Sequence, residues 1–211
     1  MQCMTENRGL YMGTNIKEES GLKFDFPEQS TVIKFDDTRF YRDYFNKLPE
    51  AKGVDFIAVD KDKIAFIEVK NCSGDEGNCR WRIAPNNQKR DTTHTVVDVE
   101  GRDSLDIEVA QKMAMTIAAL VGAKSFGDTK ECLKELEAFI QFVSKDTFSD
   151  DSKKKYVILF LEGDFGGKTR TKKMIMKALQ DSMNKKLQWI NCRVSVVDSD
   201  TYDSRMFRIV S

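Results

Sequence analysis

The run Tyr156-Val157-Ile158-Leu159-Phe160-Leu161 is unbroken apolar and rich in branched and aromatic side chains. A segment of this length and character is expected to be a strand buried on both faces, which requires covering layers above and below a sheet. The rest of the chain supplies elements for that arrangement. Val54–Val59 and Ile64–Lys70 read as two strands separated by the polar break Asp60-Lys61-Asp62-Lys63, and together they predict a hairpin. Leu105–Lys124 carries a narrow stripe of Ala110, Met113, Ala114, Ile117, Ala118 and Val121, a helix suited to close packing on a sheet. Further helices are expected over Thr38–Leu48, Glu131–Val143 and Thr171–Leu187, the first capped by Asp36 or Asp37. Strands are expected at Leu22–Phe26, Thr31–Phe35, Arg193–Val197 and, as an edge, Met206–Val210. The stretch Asn71–Thr95 is a long loop with strand pieces at Trp81–Ile83 and Thr95–Val99. This order predicts a loose N-terminal arm over residues 1–30 and one α/β domain over 31–211, a three-layer core whose mixed central sheet is flanked by helices.

Composition narrows the function. The 211 residues carry 34 Lys+Arg and 34 Asp+Glu, with one His, so the net charge is zero. That excludes holding nucleic acid by bulk positive charge, while leaving room for a local basic groove. No run of 18 apolar residues is present and the start lacks a charged-then-apolar pattern, so neither a membrane span nor a secretory leader is expected. The odd, scattered set Cys3, Cys72, Cys79, Cys132 and Cys192 reads as reduced thiols in a cytoplasmic protein. Cys72, Cys79 and His94 lack the tight spacing of a zinc site.

The hairpin carries the chemistry. Side chains alternate along a strand, so Glu68 and Lys70 share one face while Ile67 and Val69 take the other. A turn centred near residues 61–62 sets Asp55 opposite position 68. Two adjacent carboxylates repel unless a cation lies between them, and Mg²⁺ or Mn²⁺ suits hard oxygen ligands from Asp55, Glu68 and the Val69 carbonyl. Lys70 is then placed to orient or deprotonate water for attack on a phosphodiester. The alternative for these three residues is a cross-strand ion pair on a solvated face; Ile64 and Phe66 on that same face argue for a covered surface instead.

At Val54-Asp55 and Glu68-Val69-Lys70 the chain resembles the PD-(D/E)xK nuclease superfamily, with residues 38–121 and Tyr156–Leu161 following its element order. Val54 stands where that motif usually has Pro. The resemblance implies a restriction-endonuclease-like core and a Mg²⁺-dependent endonuclease acting on nucleic acid, DNA more than RNA, with a homodimer for double-strand cuts. It also points to an added acid on the preceding helix, for which Asp43 and Glu50 are candidates, and to Gln111 on the helix after the hairpin.

Arg80, Trp81, Arg82, Lys89 and Arg90 in the long loop are expected to grip phosphates and stack on a base. The basic runs Lys153–Lys155 and Lys168–Lys173 would extend such a groove or form solvated turns. Two other functions compete. One is a non-catalytic binding or regulatory protein of the same fold. The other is a nucleotide binder using Gly163-Asp164-Phe165-Gly166-Gly167-Lys168-Thr169, which lies between a strand and a helix like a phosphate-binding loop, with Asp198 at a strand end. Glu162 occupies the position where that pattern needs its first Gly.

Overall fold

The computed structural model describes residues 15–88, 102–144 and 146–210. In chain order its strands and helices begin with β1 (Ile16–Glu19), β2 (Leu22–Asp25), β3 (Thr31–Lys34) and α1 (Arg39–Asp43). The hairpin β4 (Phe56–Asp60) and β5 (Lys63–Asn71) follows, then α2 (Glu76–Cys79), α3 (Leu105–Ala123) and α4 (Glu137–Ser144). The chain continues through β6 (Lys154–Glu162), α5 (Lys172–Lys186), β7 (Arg193–Val197) and β8 (Arg208–Val210). Among the described residues no helix is long and apolar enough to cross a membrane.

The fold is mixed α/β around a five-stranded mixed sheet of order β3-β4-β5-β6-β7. β3, β4 and β5 are antiparallel neighbours, whereas β5, β6 and β7 run parallel. Alternation along β5 and β6 sends Ile64, Phe66, Val157, Leu159 and Leu161 to one face, where α3, α4 and α5 bury them. Ala65, Ile67, Val69, Ile158 and Phe160 go to the other.

Among the described residues the helices lie on one face of the sheet, where the sequence predicted a sheet flanked by helices. The connections β5→β6 and β6→β7 step in the same direction across the sheet. Right-handed crossovers then leave both sets of helices on the same side. The opposite face is closed by a three-stranded antiparallel sheet of order β1-β2-β8. Phe24 from β2 meets Phe56, Phe160 and Phe207 at ring separations of 5.5, 5.2 and 5.3 Å. Each such ring contributes on the order of 2–3 kcal/mol by leaving water. Residues 16–25, expected within a loose arm, therefore form part of this covering sheet, and β8 pairs with β2 rather than lying at the edge of the main sheet.

Other expectations change in detail. The helix over Thr38–Leu48 is split into α1 and a 3₁₀ turn at Phe45–Lys47. Its aromatics take separate partners: Tyr41 and Phe45 pack on Phe35, and Tyr44 on Phe126. The cap is Thr38, whose Oγ1 accepts from the Tyr41 amide, and not Asp36 or Asp37. Glu131–Leu136 is 3₁₀, with α4 following it. Trp81–Ile83 forms a turn in place of a strand, and Thr95–Val99 lies outside the described residues. Cys72 and Cys79, read as thiols, are joined in a disulfide, while Cys132 and Cys192 are free.

Candidate active site

The β4–β5 ladder pairs Phe56 with Ile67, so the next step outward sets Asp55 against Glu68. Their strand parity points both toward the helix-covered face. Asp55 is 8% and Glu68 1% exposed, which rules out the solvated-face alternative. Asp55 Oδ2 accepts from the Val69 amide at 2.7 Å, an anchor between the two strands.

α3 crosses above this pair. The Val54 amide donates to Thr116 Oγ1 at 3.1 Å, fixing the helix over the start of β4. One turn earlier on the same stripe, Lys112 reaches down with its Nζ 2.6 Å from Glu68 Oε1 and 3.7 Å from Asp55 Oδ1. One turn earlier again, Glu108 lies 4.0 Å from the same ammonium and is paired with Arg82 from the loop after α2. Carboxylates and cations thus alternate from Asp55 and Glu68 through Lys112 and Glu108 to Arg82. Glu68 Oε2 and Arg82 Nε are buried without a hydrogen-bond partner.

The electrostatics follow from burial. Loss of water, reinforced by the charge of Asp55, pushes the Glu68 carboxyl up to about 8, against the pull of Lys112. Burial also raises Asp55, with Lys112 and the Val69 amide opposing. Burial would strip the proton from Lys112, but Glu68 and Asp55 outweigh it and hold the ammonium above its ordinary range. Glu108 is held below the usual range because Arg82, Lys70 and Lys112 overcome its burial. Lys70 is half-buried, and burial followed by the charge of Arg82 lowers its pKa. No hydrogen bond or ion pair engages its Nζ among the described residues.

The remaining candidates fall elsewhere. Gln111 is exposed and accepts from Lys52 at 3.2 Å, because its position on α3 is rotated about 100° from the inward Lys112. Asp43 and Glu50 are exposed on the surface. Arg80 is exposed, Trp81 donates its indole N–H to the Arg102 carbonyl at 3.1 Å, and Arg82 is turned inward onto Glu108. Lys89, Arg90 and His94 lie outside the described residues. The basic run before β6 is engaged structurally: Lys153 pairs with Asp62, and the buried Lys155 donates to the Phe148 carbonyl.

The glycine-rich turn after β6 is also spoken for. The Glu162 carboxylate accepts from Gly163 and Ser199 and pairs with Lys172, which in turn meets Asp198 at 2.7 Å. Two acids occupy the end of this turn, where a phosphate-binding loop would present donors to an anion.

Residues missed from sequence are Lys112, Glu108 and Asp36. The first two share a four-residue spacing with Thr116, a polar line beside the apolar stripe of α3 that the sequence displays. Asp36, just beyond β3, has a buried Oδ1 without a partner and interacts electrostatically with Lys112.

Residues 38–211 match the model of a family of unknown function (DUF6661). The chain belongs to that family. No curated protein and no solved structure matches the chain. The part of the chain shared with DUF6661 contains Asp55, Glu68, Lys70, Glu108 and Lys112, and leaves β1, β2 and β3 outside it.

As a cation site, the DUF6661 cluster offers hard oxygens of the right kind in Asp55 Oδ1 and the orphaned Glu68 Oε2. Among the described residues no three His, Cys, Asp or Glu side chains converge to hold a metal ion. An ion held there would have two carboxylates, would need backbone or water to complete its shell, and would meet the Lys112 ammonium that already lies against both acids.

Proposed function

We propose that this chain is a metal-dependent phosphodiesterase of the PD-(D/E)xK type that cleaves nucleic acid, DNA in preference to RNA. The observation that carries the reading is the convergence of Asp55 and Glu68 on one covered face, with one Glu68 oxygen buried and unsatisfied and Lys70 two residues on. The element order supports it: an antiparallel hairpin bearing the acids, a helix laid over them, and a parallel strand beside the second acid are what a restriction-endonuclease-like core requires.

In this reading Asp55 and Glu68, with the Val69 carbonyl, would hold Mg²⁺ or Mn²⁺. When bound, such an ion neutralises the two acids, acidifies a water and stabilises charge developing on phosphate. The chain's own groups do the rest. The Val69 amide keeps Asp55 oriented for its role. Lys70, with no partner for its Nζ among the described residues and a lowered pKa, is suited to orient the attacking water or take its proton. Arg82 and Lys112 add positive charge beside a phosphate, and a homodimer would supply the second site that a double-strand cut needs.

The 2.6 Å contact of Lys112 with Glu68 favours a second reading, in which its ammonium permanently fills the cation's place and the domain binds without cutting. Cleavage of single- and double-stranded DNA and of RNA, with Mg²⁺, Mn²⁺ or EDTA, separates the two. The proposal expects metal-dependent cleavage, abolished in Glu68→Ala and Lys70→Ala. Absence of cleavage on every substrate, together with no heat of Mn²⁺ binding by calorimetry, would sink the enzymatic reading.

A further inference from the structure

The Cys72–Cys79 disulfide lies beside this cluster, and no step of the proposed reaction uses it. Cys72 is the first residue after β5, four residues beyond Glu68, and its amide donates to the Glu162 carbonyl at 2.8 Å. Cys79 is the last residue of α2, three residues before Arg82. The bond thus ties the end of the acid-bearing strand to the segment that delivers Arg82 to Glu108.

Between the two cysteines, Glu76 accepts from the Asp164 amide at 3.5 Å, and Trp81 beyond them is tied to Arg102 and Asn87. α2 is a single turn of four residues whose cap, Asp75, makes no side-chain capping bond. A helix this short does not sustain itself. Gly74 and Gly77 on either side of its start have open space around them. Beyond Cys79 the chain is fixed again: the Leu105 amide donates to the Arg82 carbonyl at 2.7 Å, and the Ser104 amide to the Asn87 carbonyl at 2.8 Å. Cutting the disulfide therefore removes the cross-link that closes residues 73–78 into a short loop, while the chain stays anchored at Cys72 and at Arg82.

The two sulfurs differ in access. Cys72 is 2% exposed, whereas Cys79 is half-buried. An incoming thiolate reaches Cys79 first.

We propose that Cys72–Cys79 is a reversible thiol–disulfide site, exchanged with a dithiol reductant, whose oxidation state sets how firmly the turn over residues 73–81 is held between β5 and Arg82. A thiolate of the reductant attacks Cys79 Sγ, and the bond to Cys72 breaks, releasing a thiolate that takes up a proton. The reductant's second thiolate then attacks its own sulfur in the mixed disulfide and releases Cys79. The protein gains two electrons and two protons, and the reductant leaves as a disulfide. The site stands independently of the nuclease reading; only its effect on a metal-bound cluster rests on that reading.

The test uses the full chain and needs no cleavage activity. Iodoacetamide labelling in denaturant and mass spectrometry, before and after dithiothreitol treatment of the folded protein, should show Cys72 and Cys79 protected at first and both alkylated after reduction, with oxidised glutathione restoring protection. Hydrogen exchange should then be faster by about tenfold or more over residues 73–82 in the reduced protein, with β6 and β7 unchanged. Cys79→Ser should reproduce the reduced pattern; reduced wild-type protein provides the same comparison without a substitution. Full alkylation of both cysteines before reduction would overturn the proposal. So would identical exchange over 73–82 in the two redox states. Either result leaves metal-dependent cleavage to be judged separately.

Discussion

Replacing Glu68 with Gln should flatten the pH dependence of stability. The carboxyl is nearly fully buried, one oxygen has no donor, and its pKa rises from 4.5 to about 8. Because the folded state holds this proton more tightly than the unfolded chain, Glu68 favours folding most below pH 4.5. The advantage is lost as pH rises toward 8. At about 1.36 kcal/mol per unit, the interval is worth about 3–5 kcal/mol. Lys112 stays protonated throughout, so it adds no slope of its own in this window. The substituted amide would be neutral and nearly isosteric, keeping an oxygen for Lys112 without a charge to desolvate. Urea unfolding at pH 5 and pH 8.5, in EDTA, should therefore show the wild-type protein losing about 3–5 kcal/mol more than Glu68→Gln across that interval. In thermal scans this is roughly 10 °C for a chain of this size. Titrating groups distant from Glu68 are common to both proteins and cancel in the comparison, while Asp55 and Lys112 respond to the substitution directly. Equal slopes would refute the argument, because they would mean that Glu68 is already ionised in the folded protein at pH 5, and that Lys112 fully offsets its burial.

Asp106 is fully buried, takes bonds from Ser104, Ser182 and Lys186, and has a lowered pKa because these donors outweigh burial. Asp106→Ala should cost about 3 kcal/mol in urea unfolding near neutral pH; the difference from wild type should shrink as pH falls through the depressed folded pKa and the carboxylate is protonated. A methyl group at Gly53 would lie 2.5 Å from Phe35 Cδ1 and 3.1 Å from Tyr41 Cε2, so Gly53→Ala should lower stability by about 1–3 kcal/mol. An unchanged thermal midpoint for that variant would mean the ring pair gives way freely. Lys112→Met removes the cation nearest Glu68, so calorimetric titration with Mn²⁺ should show binding at least about tenfold tighter if the ion and the ammonium compete for one place. Unchanged or weaker affinity would count against competition.

Much of the sheet was legible because β5 and β6 carry apolar side chains on both faces, and because Lys61 and Asp62 leave little freedom in the hairpin register. That register set Asp55 beside Glu68 from sequence alone. The covering sheet was harder to foresee: β1, β2 and β8 are short, and although Ser20-Gly21 joins β1 to β2 in a tight hairpin, β8 reaches β2 from the far end of the chain. On α3 the apolar stripe located the buried face but not which polar flank would turn inward, and Lys112 entered where Gln111 was expected. A long ammonium side chain can follow an apolar surface before its charged end meets an acid, so its spacing alone does not reveal its destination. In the basic loop the sequence did not show where Arg82 would turn. Arg82 satisfies a buried carboxylate, and composition cannot distinguish that use from a phosphate contact.

The β4–β5 hairpin joins residues close in sequence, whereas β5 finds β6 across the whole stretch from Lys63 to Lys154. Closing that distance carries a larger entropic cost and is expected to come later in folding. Asp55 and Glu68 would then become neighbours while still hydrated, and would act as ordinary acids at that stage. Their perturbed proton affinities would arise only when β6 and α3 dock and exclude water. Proximity and reactivity would thus have separate origins in time, the first set by a local turn and the second by the completed fold.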